Sequence, residues 1–142
     1  MKRKRKRTSG ATMIAGLLIV AQPAPAESSG ISNTSDGEQV YRHICQGCHM
    51  PDGEGAVGAG YYPAFAGNPN MVSAQYMALT ILNGRRNMPS FVERNLSGAE
   101  FWDTVMLNDA QVAGVVNYIR SHFSNNYKDT LTAAEVKALH PK

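Results

Sequence analysis

The sequence predicts a small all-α domain. Capping residues stand where helices should open, in Ser35-x-x-Glu38 and Ser97-x-x-Glu100. Apolar residues recur at helical spacing, most clearly Val112, Val115, Val116, Ile119 and Phe123. No stretch alternates with the period of two that a half-buried strand requires, and no internal repeat is visible.

The first 26 residues stand apart from that domain. Lys2 to Arg7 is a run of basic residues, Ala11 to Ala21 is apolar, and Ala24-Pro25-Ala26 offers the small residues a signal peptidase reads. Together these predict a secretory signal cleaved after Ala26 and export to the periplasm. The apolar run is too short to span a bilayer. No Arg-Arg pair precedes it and no cysteine follows it, so neither a twin-arginine route nor a lipid anchor is expected. Cleavage reverses the charge: Lys+Arg falls from 14 to 8 while all 11 acidic residues remain, and the net charge goes from +3 to −3. The basic isoelectric point of the full chain therefore gives no ground for nucleic-acid binding, and no transmembrane segment is expected in the mature chain. Residues 27–34, rich in Ser and Gly, read as a flexible lead-in.

The first helix opens at the Ser35/Glu38 capping box and continues through Val40, Tyr41 and Ile44. Met50 to Gly67 carries Gly53, Gly55, Gly58 and Gly60 and reads as a loop, because glycines this dense cost too much order in a regular element. Ser73 to Asn83 is the second helix, with Ser73 as N-cap, Gly84 as stop, and Val72 and Met77 at hydrophobic-staple positions. The loop from Gly84 to Asn95 carries Met88-Pro89, and the Ser97/Glu100 box opens a short helix with Phe101 and Trp102. The last long helix runs from Asp109 to about Phe123, capped by Asn108 and stapled by Leu107 and Val112. Thr132 and Glu135 signal a final short helix in a tail that spans 124–142.

Both cysteines of the chain lie in Cys45-Gln46-Gly47-Cys48-His49, the attachment signature of a c-type haem. Two thiols at this spacing can each form a thioether to one edge of a porphyrin, and His49 then stands ready to ligate the iron. A disulfide-exchange motif would sit in a strand-rich βαβ setting and has no need of His49. A zinc site recruiting His43 would draw all its ligands from seven residues, whereas such sites join separated segments. A structural disulfide would close a very tight loop. Pro63, 14 residues after His49, is a natural acceptor for the other ring nitrogen, since no helix ladder claims its carbonyl.

Five methionines follow the signal and compete for the sixth iron position. Met50 is too close to His49 to reach the opposite haem face. Met71, Met77 and Met106 lie in or beside helices and read as packing residues. Met88, on an extended loop 39 residues after His49, is the expected ligand. Arg85 and Arg86 suit haem propionates, because arginine matches a carboxylate bidentately. Tyr61, Tyr62 and Trp102 suit a propionate hydrogen bond or packing on the porphyrin.

The order of capped helix, Cys-x-x-Cys-His, Gly-rich loop with a proline, Met-Pro loop and amphipathic last helix resembles a class I cytochrome c over about residues 35–123. Gly37 and Tyr41 lie eight and four residues before Cys45, as in that family, where they cross an aromatic of the last helix, here Tyr118. Tyr62-Pro63-Ala-Phe-Ala-Gly67-Asn68-Pro69, Val115-Val-Asn-Tyr-Ile-Arg120 and the tail around Tyr127 and Leu131 are similar to haem domains of cytochrome subunits serving bacterial periplasmic dehydrogenases. The chain departs from that pattern between Phe91 and Leu107. The resemblance implies helices packed around one covalently bound haem c. It implies an electron carrier, not an enzyme, that passes single electrons from a dehydrogenase to another cytochrome or a terminal oxidase. Two alternatives stand beside it: a peroxidase or gas sensor with an open sixth iron position, and a permanently docked subunit using 92–106 and the tail as docking surfaces.

Overall fold

The computed structural model describes residues 34–58, 60–92 and 105–140. The signal, the rest of the lead-in, the capping box at Ser97 and Trp102 lie outside the described residues.

Helix α1 (Gly37–Val40) passes through a π-helical stretch (Tyr41–Cys45) into α2 (Gln46–His49). Its cap is Asp36, not Ser35: the Asp36 carboxylate accepts from the backbone N–H of Glu38 and Gln39 at 2.9 and 3.3 Å. The expected box fails because Glu38 turns outward to pair with Arg42 one turn on, at 2.7 Å. In the π-helical stretch the N–H of Gln46 reaches the carbonyl of Tyr41, five residues back. Such wide turns tend to mark functional positions, and this one carries Cys45.

After His49 the chain turns sharply at Met50. The segment expected to be loop contains a small antiparallel ribbon, β1 (Ala56–Val57) and β2 (Tyr61–Tyr62), pairing Ala56 with Tyr62 and Val57 with Tyr61. The all-α expectation is corrected to that extent. Gly58 and Gly60 fall between the strands, so their conformational freedom serves the turn and does not interrupt the pairing.

A 3₁₀ turn (Pro69–Val72), capped by Asn68, leads into α3 (Ala74–Asn83). Ser73 caps α3, and Gly84 ends it at φ 70°. The staple is absent, because Met77 is buried while Val72 is 66 % exposed. Helix α4 (Asp109–Ser121) opens with a full capping box between Asn108 and Gln111. It buries Val112, Val115, Val116 and Ile119 as the spacing predicts, with Leu107 also buried. Phe123 lies past its end, at a positive φ. Helix α5 (Ala133–Ala138) carries the Thr132/Glu135 box and buries Val136.

α4 is the central element, packed against α1, α3 and α5. Its crossing with α1 is backbone on backbone: a Cβ on Gly37 would fall 2.0 Å from the carbonyl oxygen of Gly114. The Tyr41 and Tyr118 rings meet at the same crossing, centroids 5.7 Å apart. The one buried cation among the described residues, Arg120 (1 % exposed), ties the core together. It donates to the carbonyls of Met71 and Val72, to the carbonyl and carboxylate of Asp129, and lies over the Tyr127 ring.

Candidate haem site

The helical run from Gly37 to His49 delivers Cys45, Cys48 and His49 to one wall of a cleft. Both cysteines are free thiols. Burial, with Cys48 alongside, pushes the Cys45 thiol up to about 12. The His49 ring lies over Phe65, centroids 4.5 Å apart and planes 23° apart. Its Nδ1 is 3.3 Å from the carbonyl oxygen of Pro63, which leaves Nε2 without that partner. Burial lowers the His49 pKa, and the Pro63 bond partly offsets this. The ring is thus held neutral and oriented, the state in which an imidazole ligates a metal.

The same cleft is lined by Met71, by Met77, Thr80 and Ile81 of α3, and by the loop carrying Met88. That loop is a tight turn. The N–H of Arg85 donates to the carbonyl of Met88 at 2.9 Å, and the N–H of Met88 returns to Arg85 at 3.0 Å. Two bonds fasten Ser90 and Phe91 to α3: Ser90 Oγ donates to the Leu82 carbonyl, and the Phe91 N–H to the Ile81 carbonyl. Arg85 donates to the Tyr76 hydroxyl at 2.6 Å.

The cleft has a volume of about 150 Å³ and opens to solvent. Cys45, Cys48, His49, Tyr62, Pro63, Arg85 and Met88 all line it. Arg86 and Tyr61 sit farther out, in a wider polar mouth with Asn70 and Asn87. Met71 and Met77, read from the sequence as packing residues, are buried yet also line the cleft. Sequence reasoning did not single out Tyr76 and Thr80. Their spacing with Met77 and Ile81 places all four on one face of α3, a signal that was available.

The side chains present fit a large flat apolar group with acidic substituents at one edge. Thiols and an imidazole share one wall, a half-buried thioether lines the same space, and arginines and amides gather at the mouth. Among the described residues no three His, Cys, Asp or Glu side chains converge as a metal cluster, and His43 points to solvent, so the zinc arrangement has no support.

Residues 32–107 match the model of a family described as cytochrome c oxidase, cbb3-type, subunit III. The chain belongs to this family of c-type cytochrome domains. Among related proteins, this cytochrome is 35 % identical to the gluconate 2-dehydrogenase cytochrome c subunit of Pantoea cypripedii over 113 residues, 75 % of this chain and 24 % of that one. It is 32 % identical to the fructose dehydrogenase cytochrome subunit of Gluconobacter japonicus, covering 78 % of this chain and 23 % of that one. With cytochrome c-552 of Thermus thermophilus identity is 29 %, covering 96 % and 88 %. The cytochrome therefore spans about a quarter of the dehydrogenase subunits it matches. Family membership agrees with the helical architecture and with an electron-transfer role. Among the described residues no helix is long and apolar enough to cross a membrane.

Proposed function

We propose that this cytochrome is exported to the periplasm and carries single electrons on one haem c bound through Cys45 and Cys48, with His49 and Met88 on opposite faces of the iron. The observation that carries the reading is the convergence of all four side chains on one apolar cleft, with His49 Nδ1 already engaged by Pro63. When bound, a haem supplies a reversible one-electron couple between ferric and ferrous iron. The chain's own residues do the rest. Pro63 fixes the His49 ring, and the Met88 turn offers a thioether, which favours the ferrous state. Ile44, Met77, Ile81 and Phe91 line the cleft with apolar surface, and Arg85 and Tyr62 would hold the propionates. With His49 and Met88 both holding the iron, no position would remain for a substrate, so the role is that of a carrier. The donor is a dehydrogenase, and the acceptor another cytochrome or a terminal oxidase.

A second reading, a subunit that stays docked to its dehydrogenase, is favoured by the likeness to cytochrome subunits of gluconate and fructose dehydrogenases.

The test is the absorption spectrum of the mature protein, made with haem-maturation machinery, as wild type and Met88→Ala. A weak long-wavelength sulfur-to-iron band in the oxidised wild type, lost in the variant, is the expected result. A high-spin wild type that binds carbon monoxide would replace the carrier with a peroxidase or gas sensor.

A further inference from the structure

Six rings form an unbroken chain from the cleft to a surface outside it. His49 stacks on Phe65 at 4.5 Å. Phe65 meets Tyr41 at 6.1 Å and Phe123 at 5.7 Å. Both of these meet Tyr118, at 5.7 and 5.6 Å. Tyr118 stacks on His122 at 4.1 Å and 26°. His122 is exposed, Tyr118 is half-buried, and neither lines the cleft or its mouth. The strip is selective: among the described residues the ring–ring contacts all fall within these six side chains, while the fully buried apolar residues outside it carry no ring. Phe123 joins it from a left-handed backbone, φ 53°, that side chains rarely adopt.

We propose that this ring chain conducts single electrons between the haem site and a one-electron carrier protein docked on the Tyr118–His122 face. The proposal rests on the haem reading above. Packed rings couple donor and acceptor better than a gap of the same length, and the strip offers two parallel branches, through Tyr41 and through Phe123. One electron leaves the docked carrier and reduces ferric iron to ferrous; no proton moves and no ring is itself oxidised. The Tyr41 hydroxyl donates to the Met50 carbonyl, which is no base, so its proton stays in place. Of the charges beside Tyr118, Glu38 and Arg42 pair with each other at 2.7 Å, and the exposed Asp36 carboxylate leaves the face with one net negative charge. A carrier with one port must release its donor before its acceptor docks. A second port away from the cleft mouth lets both stay bound, as a docked subunit requires.

The test uses the haem-loaded mature protein with a ruthenium(II) polypyridyl photosensitiser on His122, His43 and His140 being replaced by Gln. A second protein carries the label on His43, which belongs to none of these ring pairs, with His122 and His140 replaced. On flash excitation ruthenium(II) gives one electron to ferric iron and becomes ruthenium(III). Tyr118→Leu, which cuts the Tyr41 branch and leaves the Phe123 branch only its 6.5 Å contact with His122, is expected to slow transfer from His122 several-fold. Transfer from His43, the potential and the spectrum should stay unchanged. Phe123→Leu, which spares the Tyr41 branch, should slow transfer from His122 less, and it serves alone if Tyr118→Leu does not fold. Equal rates from His122 with and without these rings would overturn the conduit while a normal haem spectrum left the carrier reading standing. Absence of covalent haem, seen before any flash, would overturn both.

Discussion

The peptide carbonyl of Gly114 occupies the space that a side chain on Gly37 would need, since a Cβ there would lie only 2.0 Å from that oxygen. The approach is mutual, because a Cβ on Gly114 would lie 2.2 Å from the carbonyl of Ser35. The crossing fixes how α1 leans on α4, and α1 leads directly into the segment that presents Cys45, Cys48 and His49.

Gly37→Ala should therefore cost stability by overpacking, by about 1–3 kcal/mol. The denaturant midpoint of the haem-loaded protein reads it. A midpoint equal to wild type would mean that the helices part without penalty.

Gly84 plays the matching role for the loop carrying Met88. At φ 70° and ψ 167° it occupies a region open essentially only to glycine, and an added Cβ would lie 2.7 Å from the Met88 carbonyl oxygen. Gly84→Ala should lose about 1–3 kcal/mol and displace the Met88 turn. In the oxidised haem-loaded protein the sulfur-to-iron band should weaken along with the midpoint. A lower midpoint with the band intact would mean that the turn moves as a unit and keeps its thioether in place.

Much of this architecture was legible because its signals are local. Ser73, Asn108 and Thr132 cap where the sequence says they should, and α4 buries the face its periodicity marks. The local signals failed where a neighbour outcompeted them: Asp36 took the cap from Ser35, and Arg42 drew Glu38 outward. The Gly114 crossing, the ring chain and the Arg120 network join residues far apart in sequence, and spacing carries no trace of such contacts. The proposed site reads from the sequence as one pentapeptide and one methionine. Its α3 wall depends on how that helix is rotated, which only packing decides.

Arg120 is a sharper case, because its guanidinium is buried and holds two carbonyls of the turn that leads into α3. Arg120→Gln leaves the carbonyls of Met71 and Val72 short of donors. The Met71 bond is buried and the Val72 bond only partly so, and since an unsatisfied buried acceptor costs about 1–3 kcal/mol, a loss in that range is expected. Arg120→Lys should recover only part, because an ammonium lacks the planar fork that reaches several acceptors at once. Urea midpoints of the three proteins check the order, and a lysine variant equal to wild type would show that charge alone suffices.

The outer end of that network sets an acid limit on stability. The hydrogen bond from Arg120 holds the Asp129 carboxyl below the usual carboxylate range, and bonds from Thr132 do the same for Glu135. A carboxyl with a depressed folded-state pKa contributes stability above its unfolded value, 3.8 for Asp129, and that contribution fades as pH falls through the folded value. Asp129→Asn should thus be less stable than wild type near neutrality, and the gap should narrow on going from about pH 7 to about pH 3. Because the carboxylate is largely exposed, added salt should narrow the gap at neutral pH as well. Denaturant midpoints of both proteins across that range make the comparison. No gap at neutral pH would assign the role to the Asp129 backbone carbonyl, which also accepts from Arg120 and survives the substitution.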